Sequence, residues 1–451
     1  MLDRFRRFFA PPPHIERLSE EEIQRLYPRY RMRILMATYL GYAMFYIVRN
    51  NFSPVNMDIG LALGYDKTML GNLSVVTGLT YGIGKFLMGS LSDRSDPRKF
   101  MACGLLLSAA CNLAFASSSN YSTHMAVWAL NGVVQGMGWP PCGRSIGHWF
   151  SVRERGTVFS IWNTATNVGG ILAPQVATLS AFHFGGWRAA FYVAAAIAIA
   201  GAVYLFRELR DTPQSVGLPS IEEFRNDYTE LERIHGTQEA ELSNREIFVD
   251  HILKNKFLWI FAFANLFVYF VRYGMLDWGA MYLREVKGAT LLGGGGALSI
   301  IEAAAIPSTL VLGWYSDKIG GRRGMVSMLC MIPILGAFGV ILATPPGYLW
   351  LDMAMLGVIG FFIYPPVMLL ALAALDLTSK KAVGTAAGFI GMFGYLGGKT
   401  TVNLLFGRVL DHYTPLHGAE AAWQIIICLI LAATVAAIVL LALTWRVRPK
   451  A

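Results

Sequence analysis

Apolar runs long enough to cross a lipid bilayer recur about twelve times in this chain of 451 residues, at 34–52, 69–91, 100–118, 125–150, 158–182, 187–206, 257–283, 298–315, 325–344, 348–377, 383–410 and 423–445. A span needs only about 20 apolar residues, and in hydrocarbon each backbone N–H and C=O must be satisfied within its own segment, which selects the α-helix. Charged residues are 15% of the chain and hydrophobic residues 55%, with a mean hydropathy of +0.46. Soluble domains carry about 25% charge. The expected fold class is an all-α membrane protein with twelve transmembrane helices.

The runs form two parallel copies of one design. Phe45-Tyr46-Ile47-Val48-Arg49 is restated 223 positions later as Val268-Tyr269-Phe270-Val271-Arg272, with a Tyr three residues before each Arg. Gly89-Ser90-Leu91-Ser92-Asp93-Arg94, followed by Arg98-Lys99, returns as Gly313-Trp314-Tyr315-Ser316-Asp317-Lys318, followed by Arg322-Arg323. Trp139-Pro140-Pro141 returns as Tyr364-Pro365-Pro366. The two arginines therefore occupy equivalent places in two pseudo-symmetric six-helix halves. The expected organisation is a basic cytoplasmic arm at 1–33, a first half at 34–206, a polar cytoplasmic linker at 207–256, a second half at 257–445 and a cytoplasmic tail at 446–451.

The net charge of +9 does not point to nucleic acid, because its cations cluster on one side of a twelve-span chain. Arg4 to Arg33 precede the first span, Arg153 and Arg155 follow the fourth, Lys380 and Lys381 the tenth, and Arg446 to Lys450 the last, while the opposite loops carry almost none. By the positive-inside rule both termini are cytoplasmic. The start of the chain is polar and lacks the apolar core of a removable signal peptide. In the arm, Ser19 is placed to cap a short helix over 19–26, with Glu22 three residues on. The five cysteines form no C-x-x-C and are expected as free thiols, with no metal and no cofactor.

Tyr42, Tyr46 and Arg49 follow one another at i+4 and i+3, so they share a helix face. Either they line a polar cavity, or Arg49 snorkels to the headgroups with the tyrosines as an interfacial belt. The restatement as Tyr269 and Arg272 favours the cavity. Lys85 lies four residues after Tyr81 in a span without an acidic residue, and an unpaired intramembrane cation costs about 2.5–3.5 kcal/mol on insertion scales. Asn163, Thr166 and Asn167 make a polar face in the fifth span, serving either helix contacts or a ligand. Glu302 lies early in the eighth span, Tyr364 precedes paired prolines, and Tyr395 and Lys399 stand four apart in the eleventh. The Asp93/Arg94 and Asp317/Lys318 loops are either gate ion pairs or topology signals. The glycine run at 293–296 has no Lys-Ser/Thr after it, so a phosphate-binding P-loop is rejected.

A chamber presenting Arg49, Arg272 and Lys85 among Tyr42, Tyr46, Tyr81, Tyr269, Tyr364 and Tyr395 is cationic and aromatic. Its matching ligand is a small, strongly anionic molecule, best a phosphate monoester, since guanidinium forks fit phosphate oxygens two at a time. No H-E-x-x-H, nucleophile elbow or acidic metal cluster supports catalysis.

These residues carry a resemblance. Gly89 to Lys99 and its second copy are similar to the loop signature of the major facilitator superfamily. Tyr46-Ile47-Val48-Arg49-Asn50-Asn51-Phe52, Gln135-Gly136-Met137-Gly138-Trp139-Pro140-Pro141-Cys142-Gly143-Arg144, Asp211-Thr212-Pro213-Gln214-Ser215-Val216-Gly217-Leu218-Pro219 and Arg272-Tyr273-Gly274-Met275-Leu276-Asp277-Trp278 resemble the organophosphate:phosphate antiporter family, its glycerol-3-phosphate branch first and its phosphoglycerate branch next. The resemblance implies a major-facilitator-type fold in a bacterial inner membrane, exchanging an organic phosphate for inorganic phosphate by alternating access, as a monomer. It also implies that Arg49 and Arg272 bind substrate, with Lys85, Tyr42, Tyr46, Tyr81, Asn163, Tyr269, Glu302, Tyr364 and Tyr395 at the site or pathway. Thr166 stands where the glycerol-3-phosphate branch has a histidine, and Asn50 where it has a lysine. Lys399 is an added cation. A membrane receptor for a phosphate ester, or an antiporter for phosphoglycerate or hexose phosphate, would use the same residues.

Overall fold

The computed structural model describes residues 8–92, 95–226, 253–377 and 383–447, and among them the regular elements are helices only. Helix α1 (Glu20–Asn50) is capped as expected: the Glu22 amide donates to Ser19 Oγ and the Glu22 carboxylate accepts from the Ser19 amide, which satisfies two end donors reciprocally. It does not stop at 26. Pro28 sits inside it, and the helix continues as the first span.

Helices α2 (Asn56–Leu63), α3 (Lys67–Ser92) and α4 (Pro97–Ser117) follow. The fourth expected span is broken into α5 (Tyr121–Gln135) and α6 (Trp139–Trp149), where Gly136 and Gly138 precede a proline pair. The fifth is broken at Thr164 into α7 (Val152–Asn163) and α8 (Ala165–His183), before α9 (Trp187–Glu208) and the short α10 (Ile221–Arg225). The second half comprises α11 (Lys256–Glu285), α12 (Leu291–Lys318), α13 (Arg323–Ala343), α14 (Leu349–Leu377), α15 (Val383–Met392), a π-helical turn at Phe393–Lys399, and α16 (Thr400–Ala442). The last is two helices that meet at Gly418, whose φ of 84° a side chain would resist.

Among the described residues, seven helical runs are by themselves long and apolar enough to cross a bilayer, so the chain is a multi-pass membrane protein. Of the other expected spans, the fourth is interrupted at Gly136–Gly138 and the fifth at Thr164, and α1 begins in a charged turn with Glu20, Glu21 and Glu22.

The chain divides into two compact units. The first is Met1–Asn51, Thr80–Val176 and Phe191–Ala240; the second is Phe52–Leu79, Ala177–Ala190 and Glu241–Ala451. The second unit thus includes two stretches from the first half of the sequence. One is tied in by charge: Arg284 forks onto Asp58 at 2.6 and 2.9 Å, and Lys67 Nζ donates to Glu285 at 2.8 Å. The Asp411 carboxylate accepts from the Lys67 and Thr68 amides at 2.9 and 2.6 Å, closing the N-terminus of α3 where its dipole favours an anion.

In the first unit, the stretch expected to open the linker is packed. Ile221 and Leu218 are buried in the core, the Tyr27 ring stacks on Phe224 at 4.0 Å, and the arm meets this stretch through the Leu18 amide, which donates to the Gly217 carbonyl at 2.9 Å. The remainder of the expected linker, 227–252, lies outside the described residues.

Arg144 donates to the Ser92 and Ser95 carbonyls and to Asp211 at 2.9 Å. Burial pushes the Asp211 carboxyl up to about 6, more than the Arg144 guanidinium pulls it down. An unfolded Asp titrates near 4, so the native state holds this proton more tightly. The stability so contributed is present below about pH 4 and is lost as pH rises through about 6. Between pH 5 and 7 the thermal midpoint in detergent is expected to fall more steeply in the wild type than in Asp211→Asn; parallel slopes contradict this assignment.

Candidate functional site

Each unit holds one arginine set among tyrosines. In the first, the i+3 spacing of α1 lays the Arg49 guanidinium over the Tyr46 ring, 4.1 Å from its centroid, and α3 brings the Tyr81 ring to 4.9 Å. Tyr42 meets Tyr46 edge-on at 5.5 Å and stacks on the buried Trp162 at 5.0 Å, so α7 braces the aromatic wall. The cation on the π faces gains about 1–2 kcal/mol when desolvated.

Other expected residues of this unit are placed less closely. Thr166 is half-buried, and its hydroxyl donates to the Asn163 carbonyl at 2.8 Å, while Asn163 itself is exposed. The break at Thr164 falls between them, and its hydroxyl meets Tyr39 at 3.0 Å. Lys85 is in α3 one turn beyond Tyr81, its side chain outside what is described; Asp93 and Arg94 lie outside the described residues.

In the second unit, the Arg272 guanidinium lies 4.4 Å from the Tyr364 ring, 5.3 Å from Tyr273 and 5.9 Å from Tyr269. The Tyr395 ring meets Tyr269 at 5.1 Å. Glu302, buried in α12, acts electrostatically on both Arg272 and Tyr364. Arg272 Nε is buried and has no hydrogen-bond partner among the described residues. Such an orphaned, charge-assisted donor is costly unless an acceptor fills it.

Tyr395 and Lys399 share the π-helical turn, a form found most often at functional sites. The turn is pressed against α11: a Cβ on Gly398 would lie 2.3 Å from the Leu266 carbonyl oxygen, so only glycine permits this approach. Lys399 Nζ stands 3.8 Å from Asp277 and 4.3 Å from the Tyr273 ring. The Asp277 carboxylate accepts from Asn403 at 2.7 Å, and Asn403 in turn accepts from Trp278 at 2.8 Å. Of the second loop copy, Lys318 is exposed over the Trp314 ring at 4.9 Å, and the Asp317 side chain is not described.

Two contributors were missed from sequence. Tyr273 is the ring shared by Arg272 and Lys399; its i+4 spacing from Tyr269 was the available signal. Asp277 is the counter-ion of Lys399, and the signal was the cation itself, which a span tolerates only when paired. Among the described residues no group of three or more His, Cys, Asp or Glu could hold a metal.

Comparison with known proteins gives the family. Residues 38–401 match the family model of the Major Facilitator Superfamily. The chain is 43% identical to the glycerol-3-phosphate transporter of Bacillus subtilis (strain 168), over 98% of each chain. It is 37% identical to the membrane sensor protein UhpC of Escherichia coli (strain K12), over 83% of this chain and 85% of that one. In fold it is similar to the crystal structure of the nucleoside transporter NupG, with a TM-score of 0.67 over 93% of this chain and all of that one, at 14% identity. The chain belongs to the Major Facilitator Superfamily, within its group of organophosphate transporters.

Proposed function

We propose that the chain exchanges an organic phosphate monoester, of glycerol-3-phosphate type, for inorganic phosphate across a bacterial inner membrane, with both termini cytoplasmic and one chain as the working unit. It is a carrier and carries out no bond chemistry. The observation that supports this most is the recurrence, at matching places of the repeat, of an arginine over tyrosine rings: Arg49 with Tyr46 and Tyr81, Arg272 with Tyr364 and Tyr273. Each guanidinium offers a planar fork of donors, and a phosphate dianion has oxygens for two forks. Phenol hydroxyls beside the two guanidiniums read the organic part.

In the mechanism we infer, the empty site holds two like charges in a low dielectric, and a dianion neutralises both. Loaded protein then changes access more readily than empty protein, which gives exchange in place of net flux. The identity to a protein named as a membrane sensor favours one second reading, a phosphate-ester receptor that binds without turnover. Purified protein in liposomes loaded with labelled phosphate separates the two. Release stimulated by external glycerol-3-phosphate is the expected result; ester binding with no release means the receptor.

A further inference from the structure

A cluster of buried amides and hydroxyls in the first unit converges on a single carbonyl oxygen, that of Val48. The Asn112 side-chain amide donates to it at 3.0 Å and that of Asn131 at 3.2 Å, so both of its lone pairs are engaged. Three further bonds in the cluster lead toward that oxygen. Gln135 Nε2 donates to Ser108 Oγ at 2.9 Å, and Ser108 donates to Asn131 Oδ1 at 2.7 Å, leaving Asn131 only its NH₂ to offer Val48. On the other side Asn51 Nδ2 donates to Asn112 Oδ1 at 2.8 Å, while the second hydrogen of Asn112 goes to the Ser108 carbonyl at 2.9 Å. Asn51, Ser108, Asn112 and Asn131 are fully buried and Gln135 is 2% exposed.

So many amides are an expensive way to join three helices, since apolar packing would serve without the desolvation of five polar side chains. What they act on explains them. The Val48 carbonyl lies in the last turn of α1, where carbonyls lack an N–H from a following turn. It also belongs to the peptide plane whose other end is the nitrogen of Arg49. Because that plane is rigid, two hydrogen bonds on the oxygen fix where the Arg49 Cα sits and how its side chain leaves the helix.

We propose that Asn112 and Asn131 are positioning residues for Arg49: by clamping the Val48 carbonyl they hold the guanidinium fork in register for a phosphate oxygen pair. This rests on the function proposed above, in which Arg49 is a phosphate ligand. The cluster is fed from α4 and α5, so the anion site extends to helices that place no side chain against the Arg49 guanidinium among the contacts described.

The test is a double-mutant cycle on inorganic phosphate binding by the full chain in detergent, read by titration calorimetry. Asn112→Ala and Asn131→Ala, each alone, are expected to weaken phosphate about 5-fold, the equivalent of one hydrogen bond. In an Arg49→Lys background, where a point charge on a flexible stem has no fork to align, the same substitutions are expected to change affinity less than about 2-fold. Equal losses in both backgrounds, or none with arginine present, overturn the proposal. If the alanine variants do not fold, Ser108→Ala, which removes the donor to Asn131 Oδ1 and with it the acceptor of Gln135 Nε2, enters the same cycle with an expected loss of about 2–3-fold; no loss there overturns it equally. Phosphate affinity unchanged by Arg49→Lys itself would sink the parent function and is read separately.

Discussion

Arg272→Lys is expected to reduce phosphate exchange at least about 100-fold in liposomes, although it keeps the charge and most of the length. The guanidinium lies over the rings of Tyr364 and Tyr273, and its buried Nε has no acceptor among the described residues. An ammonium in that place has no plane to stack and no fork to meet two oxygens, and it carries a tighter hydration shell into an aromatic pocket. Two charge-assisted hydrogen bonds at about 1.5–3 kcal/mol each cover a loss of this size. Exchange within about 3-fold of wild type in Arg272→Lys would show that the site reads charge and not geometry.

Asp277→Asn is expected to be nearly as damaging, and to be repaired at a second site. Lys399 and Asp277 are 18% and 14% exposed in their side chains, and their charges stand 3.8 Å apart. Removing one partner of a pair so enclosed strands the other, at about 3 kcal/mol by either buried-pair or membrane-insertion estimates. The melting midpoint in detergent should therefore fall in Asp277→Asn and return toward wild type in Asp277→Asn with Lys399→Ser, which removes the stranded cation. A double variant no more stable than the single one would mean that Asp277 matters through Asn403 alone, which donates to it and accepts from Trp278.

The contrast between these two sites shows what a sequence can and cannot carry. The setting of Arg49 and Arg272 among tyrosines was legible because the chain states the motif twice, with a Tyr three residues before each Arg. The helix interruption before Trp139 is local in origin, since Gly136, Gly138 and the proline pair act on their own backbone. Lys399 was visible as an anomaly, but its partner lies 122 positions away on another helix, a pairing set by packing that no local spacing encodes. The same holds for Asn112 and Asn131, which in one dimension are ordinary polar residues in apolar runs. The grouping of Phe52–Leu79 with the second unit was also beyond the repeat, because it depends on ion pairs such as Asp58 with Arg284. The π-helical turn at Phe393–Lys399 follows from the close seat of Gly398 on α11, and glycine alone does not announce it.

The central claim is that Arg49 and Arg272 serve one anion, and its most direct test is the stoichiometry and affinity of inorganic phosphate binding, by titration calorimetry, in wild type, Arg49→Ala, Arg272→Ala and the double variant. One phosphate per chain in the wild type, with each single variant losing most of the affinity and the double variant little more, is the predicted result. Two phosphates per chain, each abolished by one substitution and indifferent to the other, would contradict it.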